Sequence, residues 1–241
     1  MPTLEAFGMT DPGLVRQNNE DTWFLEPSTG LAIVADGMGG ASCGEVASAL
    51  AVEVVAEYLR QPPVSWPPAQ LLEEAIQEAN RRVYERASAQ EGCSGMGSTI
   101  VAALWDLPRM VVANVGDSRA YLWREGELRQ LSYDQTLVNE LRLRFGLTAE
   151  EVSNFPHRNV LTMAVGTTAD LLVRVHEETL NPGDQVLLCS DGLSGPVTDA
   201  GIAEILSVSL PLAEQVQQLF QAAKAAGGPD NITGILLRYR E

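Results

Sequence analysis

Short apolar runs, four to eight residues long and each closed by turn-forming residues, constrain this chain more than any other feature. They recur at Thr22 to Leu25, Leu31 to Ala35, Thr99 to Trp105, Met110 to Val115, Ala120 to Trp123, Val186 to Cys189 and Ile232 to Tyr239. Rich in Val, Ile, Leu and aromatic residues, they read as strands. Helical periodicity lies between them. Val46, Leu50, Val54 and Tyr58 fall every four residues, and Leu72, Ile76, Val83 and Ala87 continue a second stripe beyond the QPPVSWPP segment, Gln61 to Pro68. Further helices are expected at Thr136 to Phe145, Thr198 to Leu206 and Leu212 to Ala225, with Thr198 as an N-cap and Gly227 as a stop. Strands therefore cluster and helices arrive in pairs, unlike the alternation of a parallel α/β fold. This order predicts an α+β layered sandwich, with antiparallel sheets packed together and covered by antiparallel helix pairs.

The chain's 241 residues, 45% of them hydrophobic, suit one compact domain spanning 1–241. Gly146 to Gly166, containing Pro156, His157 and Arg158, is expected to be a surface loop. With 16 basic against 32 acidic residues, the net charge of −16 works against a nucleic-acid partner, which would need clustered Lys and Arg. Cys43, Cys93 and Cys189 are odd in number, widely spaced and free of CxxC, so they suggest neither a disulfide framework nor a zinc site. A reducing cytoplasm fits them. Met1 to Thr10 lacks a basic segment leading into an apolar one, and no run reaches the ~18 apolar residues of a membrane span. A soluble, unprocessed protein is expected.

Acidic residues stand where the apolar runs end. Asp36 follows LAIVA and precedes GMGG, and Asp191 follows VLLCS and precedes GLSG. Alone, an Asp-Gly pair marks a turn more often than a ligand. Here Asp117 also closes VVANVG, Asp230 precedes the final run, and Asn19, Glu20 and Asp21 precede Thr22. Gathering so many carboxylates costs stability unless cations neutralise them. Oxygen ligands select hard divalent ions such as Mg²⁺ or Mn²⁺, whereas zinc would favour His and Cys; the chain has only two histidines, His157 and His176, without ligand spacing. Two such ions can share a water, lower its pKa and aim it in line at a phosphorus atom. Arg16, four residues before Glu20, is placed to bring a bidentate guanidinium to that phosphate.

Other phosphate chemistries fit poorly. The chain has no GxxxxGK[ST], no DxD, no cysteine followed six positions later by arginine, and Ser194 in GLSG is not a GxSxG elbow. The glycine-rich Gly92 to Thr99 is read as close backbone packing at a strand start.

Six segments in order resemble the metal-dependent protein phosphatases of the PP2C type. They are RQNNED (Arg16 to Asp21), VADGMGG (Val34 to Gly40), GST (Gly97 to Thr99), ANVGDSRAYL (Ala113 to Leu122), LLCSDGL (Leu187 to Leu193) and DNIT (Asp230 to Thr233). The resemblance covers nearly the whole chain and is similar to bacterial stand-alone catalytic domains. It implies a β-sandwich of two antiparallel sheets flanked by helix pairs, with a metal cleft at one edge, and hydrolysis of phosphoserine and phosphothreonine in proteins. It further implies that Asp36 bridges two Mg²⁺ or Mn²⁺ ions, with the Gly37 carbonyl on one and Asp191 and Asp230 on the other. Glu20 would contact the pair through water, and Asp117 with Asp191 would form a third site. Arg16 would bind substrate phosphate, while Asp21 and Asn231 support the metal ligands. The segment 146–166 would be the flap beside the cleft. A phosphorylated protein is the implied partner of a monomeric enzyme, with the PII signalling protein put forward on overall similarity to cyanobacterial members.

One position departs from the pattern. Bacterial relatives often carry histidine after DGMGG, where this chain has Ala41. Without that imidazole a serine alkoxide leaving group must take its proton elsewhere, as from a metal-bound water, and slower turnover of phosphoserine is expected, with activated aryl phosphates less affected. Two other readings stand beside the enzyme: a pseudophosphatase that docks phosphoproteins, against which Asp36, Asp191 and Asp230 argue, and a small-molecule phosphoesterase, for which no nucleotide motif speaks.

Overall fold

The computed structural model describes residues 3–39, 43–61, 65–89, 92–148 and 160–240. In chain order the elements are strands β1 (Thr3–Asp11), β2 (Asp21–Glu26) and β3 (Leu31–Met38), then helices α1 (Cys43–Arg60) and α2 (Pro68–Ala89). Next come β4 (Gly97–Ser98), β5 (Ile100–Asp106), β6 (Arg109–Val115), β7 (Arg119–Arg124), β8 (Glu127–Gln130), α3 (Leu137–Phe145) and β9 (Arg174–Thr179). The chain continues through β10 (Gln185–Cys189), α4 (Asp191–Ser194), α5 (Asp199–Ser207), α6 (Leu212–Ala225) and β11 (Ile232–Arg240).

One sheet has the order β1-β11-β10-β7-β8 and the other β2-β3-β5-β6-β9, with β4 paired to the end of β3. Every pairing is antiparallel. Strand alternation divides the core into three layers. In β3, Ala32 and Val34 point between the sheets toward Leu188 and Ile235, while Leu31, Ile33 and Ala35 face Ala51, Val55 and Ile76 of α1 and α2. In β10, Val186 and Leu188 join the middle layer, whereas Leu187 and Cys189 pack with Ile202, Leu219 and Phe220 of α5 and α6. Strands covered on both faces need both side-chain sets apolar, which is why LAIVA and VLLC read as unbroken runs. The expected α+β sandwich of two antiparallel sheets flanked by helix pairs is the architecture found.

The helix starts follow local chemistry. The Thr198 hydroxyl accepts from the Gly201 N–H at 3.2 Å and Thr136 from the Asn139 N–H at 3.3 Å, so each threonine caps a helix beginning one residue later.

Two expectations need correction. Cys43 and Cys93 form a disulfide, their Cα atoms 5.6 Å apart although 50 residues separate them in sequence. Only Cys189, buried in the layer beneath α5 and α6, is free. Spacing carried no sign of the pair because the α1–α2 hairpin brings its two ends together. Second, Arg174–Thr179, absent from the apolar runs expected as strands, forms β9, an edge strand beside β6. Ala41 lies outside the described residues, as do Pro156, His157, Arg158 and the remainder of 149–159 within the expected flap. No helix of the described residues is long and apolar enough to cross a membrane.

Candidate metal centre

Antiparallel register explains why the acidic residues meet. Asp21 at the start of β2 pairs with Asp36 near the end of β3. Ile100, opening β5, pairs with Val115, which closes β6; Cys189, closing β10, pairs with Arg119, which opens β7, and with Gly234 near the start of β11. The strand ends that carry Asp21, Asp36, Asp117, Asp191 and Asp230 thus fall at one edge of the sandwich. There they surround a cleft of about 690 Å³ whose lining includes Arg16, Glu20, Asp36, Gly37, Asp117, Asp191, Asp230 and Asn231. All six expected metal ligands and the expected phosphate-binding arginine converge on it.

The Asp36 backbone is fixed through both its N–H and its carbonyl. Its N–H donates to Thr99 Oγ1 at 3.0 Å, and its carbonyl accepts from the Thr99 N–H at 2.8 Å and Ser98 Oγ at 3.0 Å. The Thr99 and Ser118 hydroxyls lie 2.6 Å apart, linking this strand end to the turn that carries Asp117. At Gly37 the chain passes so close to its neighbours that a Cβ would sit 2.0 Å from the Gly44 carbonyl oxygen, so no larger residue fits.

Asp21 stands behind the cleft, its Oδ2 accepting from Ser190 Oγ at 2.7 Å. Ser190 Oγ in turn accepts from the Thr233 N–H at 3.1 Å, which stitches the two sheets together at this edge. Asn231 makes three bonds to the β1–β2 connection: Oδ1 accepts from the Glu20 N–H at 2.8 Å, and Nδ2 donates to the carbonyls of Asn18 (2.9 Å) and Pro12 (3.1 Å). Arg16 donates to Asp230 Oδ2 at 2.7 Å from a side chain still 55% exposed.

The electrostatics record the crowding. Burial, reinforced by Asp21, Asp191 and Asp117, raises the Asp36 carboxyl well above the usual carboxylate range. Burial and then Asp191 push Asp117 up to about 7, and burial lifts Asp21 to about 6 against its hydrogen bonds from Thr233 and Ser190. Asp191 is raised by burial and by Asp230, and Glu20 by burial above all. Arg16, bonded to Asp230, is shifted upward. Like charges gathered in a low-dielectric pocket produce this pattern.

The donor set fits a hard divalent cation. Asp21 Oδ1 and Asp191 Oδ1 are buried and find no hydrogen-bond partner among the described residues. A buried carboxylate oxygen left without a donor is costly, and a cation relieves both that cost and the mutual repulsion. Among the described residues no three or more His, Cys, Asp or Glu side chains stand together as a group able by itself to hold a metal ion. The carboxylates instead border an open cleft, which suits Mg²⁺ or Mn²⁺, since Mg²⁺ in particular keeps several waters and takes few protein ligands directly.

Sequence reasoning missed part of the supporting structure. Thr99, expected only to permit close packing, lines the cleft and positions Asp36, while Met38 and Leu161 add apolar wall. Arg119 donates to Asp134 (2.7 Å) and Tyr121 OH (2.8 Å) beneath the Asp117 turn. The string GDSRAYL held the signal for Arg119, but its partner Asp134 is supplied from beyond β8.

A protein-family model described as Protein phosphatase 2C matches residues 12–236. The serine/threonine phosphatase stp of Listeria innocua is 36% identical over 240 residues, spanning 97% of this chain and 95% of that relative. Among solved structures, the serine/threonine phosphatase PstP/Ppp of Mycobacterium tuberculosis superposes with a TM-score of 0.91 at 34% identity, covering 99% of both chains. The catalytic domain of PstP in complex with two manganese ions superposes at 0.89 with 33% identity over 100% of both. Acidic motifs in the same order, gathered on one cleft of a like-folded sandwich, lead to one conclusion: this chain belongs to the protein phosphatase 2C family.

Proposed function

We propose that this chain is a divalent-metal-dependent protein phosphatase that hydrolyses phosphoserine and phosphothreonine. The observation that carries the reading is the convergence of Glu20, Asp36, Asp117, Asp191 and Asp230, drawn from separate strand ends, on one cleft that also holds Arg16. Asp36 would be shared by two ions, with the Gly37 carbonyl, Asp191 and Asp230 as further holders and Glu20 acting on the pair through water. A third ion is assigned to Asp117 with Asp191. Mg²⁺ and Mn²⁺ both suit this oxygen set. When bound, such ions supply Lewis-acid polarisation of the phosphoryl group and a nucleophilic water of lowered pKa.

The chain's own residues do the positioning. Arg16, paired with Asp230 and half exposed, can pass its guanidinium to a phosphate and hold it by two parallel hydrogen bonds. Asn231 and Ser190 keep Glu20 and Asp21 in place, limiting the reorganisation that substrate binding would require. The proposed substrate reader is the flap at 146–166, of which Leu161 lines the cleft. A single domain working as a monomer is proposed because one chain furnishes the whole acidic set. Its proposed setting is the cytoplasm, where ATP-dependent kinases generate phosphoproteins; PII is proposed as partner on the resemblance to cyanobacterial members.

The test is phosphate release from a phosphothreonine peptide, with and without Mn²⁺, for the chain and for Asp191→Ala. Release that needs the metal and disappears in the variant is expected. A folded, Mn²⁺-binding protein that releases no phosphate would overturn the enzyme reading in favour of phosphoprotein docking.

A further inference from the structure

Gly37 is clasped from two sides. On one side is the start of α1, whose Gly44 carbonyl oxygen leaves no room for a Cβ on Gly37. On the other is β4, where Ser98 pairs with Gly37 and its hydroxyl donates to the Asp36 carbonyl at 3.0 Å. Glu20 leans on the first side as well. Its Oε2 would lie 2.4 Å from a Cβ on Gly44, and its carbonyl accepts from Ser48 Oγ of α1 at 2.6 Å. The Cys43–Cys93 disulfide joins these two sides. Cys43 directly precedes Gly44, and the Cys93 carbonyl accepts from the Met96 N–H at 3.0 Å, closing a turn that leads straight into β4.

The cross-link also lies near the surface. Cys93 is buried, but Gly92, Ser94 and Gly95 around it are exposed, and Cβ atoms added at Gly92 or Gly95 would meet nothing within 4 Å. A local opening of this turn, without disturbance of the sheets, would admit a reductant. Cys189 sits in a different core layer and is not placed to exchange with the pair.

We infer that Cys43–Cys93 is a thiol–disulfide exchange site that takes a dithiol reductant, and that its state sets the affinity of the adjoining cleft for divalent ions. The inference rests on the metal reading proposed above. A thiolate of the reductant attacks one sulfur, forming a mixed disulfide and releasing the other cysteine, which takes a proton. The second thiol of the reductant then displaces the protein sulfur and closes a cyclic disulfide. Two electrons and two protons pass from the dithiol to the protein. Once the cross-link is cut, the two segments clasping Gly37 are no longer covalently held together, and the cleft loses preorganisation. Linkage makes the effect reciprocal: if oxidation tightens metal binding by some factor, bound metal resists reduction by the same factor.

The experiment measures Mn²⁺ binding calorimetrically to the full chain, first air-oxidised, then reduced with dithiothreitol that is removed under argon. Reduction is expected to weaken Mn²⁺ binding about 5- to 20-fold, within the usual range for coupled sites. The Cys43→Ser/Cys93→Ser double variant should bind like the reduced chain and ignore dithiothreitol. Should that variant not fold, the wild-type chain alone decides, because saturating Mn²⁺ should shift its dithiothreitol reduction midpoint by the same 5- to 20-fold. Equal Mn²⁺ affinities in the two states, or three titratable thiols in the denatured air-oxidised chain, would overturn the inference while leaving the phosphatase reading intact. Absence of Mn²⁺ binding in both states would overturn both.

Discussion

Two aspartates bracket strand β10, Asp184 buried and Asp191 half-buried, and the molecule treats them in opposite ways. Asp184, just before the strand, is 3% exposed, and its carboxylate accepts from Arg124 Nη2 at 2.6 Å and from the Asn181 N–H at 2.7 Å. Asp191, two residues beyond the strand's other end, has one oxygen without a hydrogen-bond partner among the described residues, and like-charged Asp230 as a neighbour. Strand β10, GlnValLeuLeuCys, and Ser190 separate a carboxylate the protein neutralises itself from one proposed to await a cation. At the first end the charge serves the fold. At the second the fold holds the charge in a cleft despite the cost, which the proposed metal would offset.

That contrast can be broken by substitution. Asp191→Ala should lower Mn²⁺-dependent phosphate release by about 10³-fold, in line with loss of a group that stabilises developing charge. In EDTA its melting temperature should stay equal or rise, since a source of repulsion is gone; a large fall would erase the difference between the two ends. Asp184→Ala should do the reverse. It takes the closest carboxylate from Arg124, which keeps Glu178 and the Thr179 carbonyl as partners and is 28% exposed, so about 1 kcal/mol of stability should disappear in urea unfolding. Activity per folded molecule should be unchanged.

Smaller effects sharpen the comparison. Ala41→His should raise turnover of a phosphoserine peptide about tenfold while changing aryl phosphate hydrolysis little, because only the alkoxide needs a proton. Equal gains on both substrates would remove leaving-group protonation from the account. The pH response of stability should be smallest. In the metal-free chain Asp21 titrates at about 6 and Asp117 at about 7, both above the ordinary value near 3.9 in the unfolded chain. Native protein therefore retains protons that unfolded protein releases. Stability from these groups is fully present below about pH 4 and is lost as pH rises through 6 and 7. The melting temperature in EDTA should drop by about a few degrees from pH 5 to 8, and the gain on adding Mn²⁺ should grow over the same interval as metal replaces protons. A flat profile in EDTA would mean that the cleft carboxylates are already compensated.

Legibility in the sequence followed burial. Strands β3, β5, β6, β10 and β11, covered on both faces, appeared as apolar runs within a residue or so of their ends, except that β3 continues three residues past Ala35 to Met38. Strands β1, β8 and β9 escaped notice, and each is an edge of its sheet. An edge strand has one side in solvent, so polar residues interrupt the pattern: ArgValHisGluGluThr in β9 shows little apolar periodicity, and it keeps its place by pairing with β6. The site divides the same way. Asp36 and Asp191 announced themselves as acids at the ends of core strands, whereas Thr99, Ser118 and Ser190 carried no chemical signature; they became supporting residues only when two strand ends met.

By itself the sequence determined the layered α+β class, the core strands, the helix caps and the acidic residue set, because each depends on periodicity or residue type along a local stretch. Tertiary structure alone decided the rest: the shared edge where the strand ends converge, the Arg16–Asp230 pair across 214 residues, and the Cys43–Cys93 cross-link across 50. Those depend on register and hairpin closure, and distance in space between residues far apart in the chain is set by packing rather than by any local pattern.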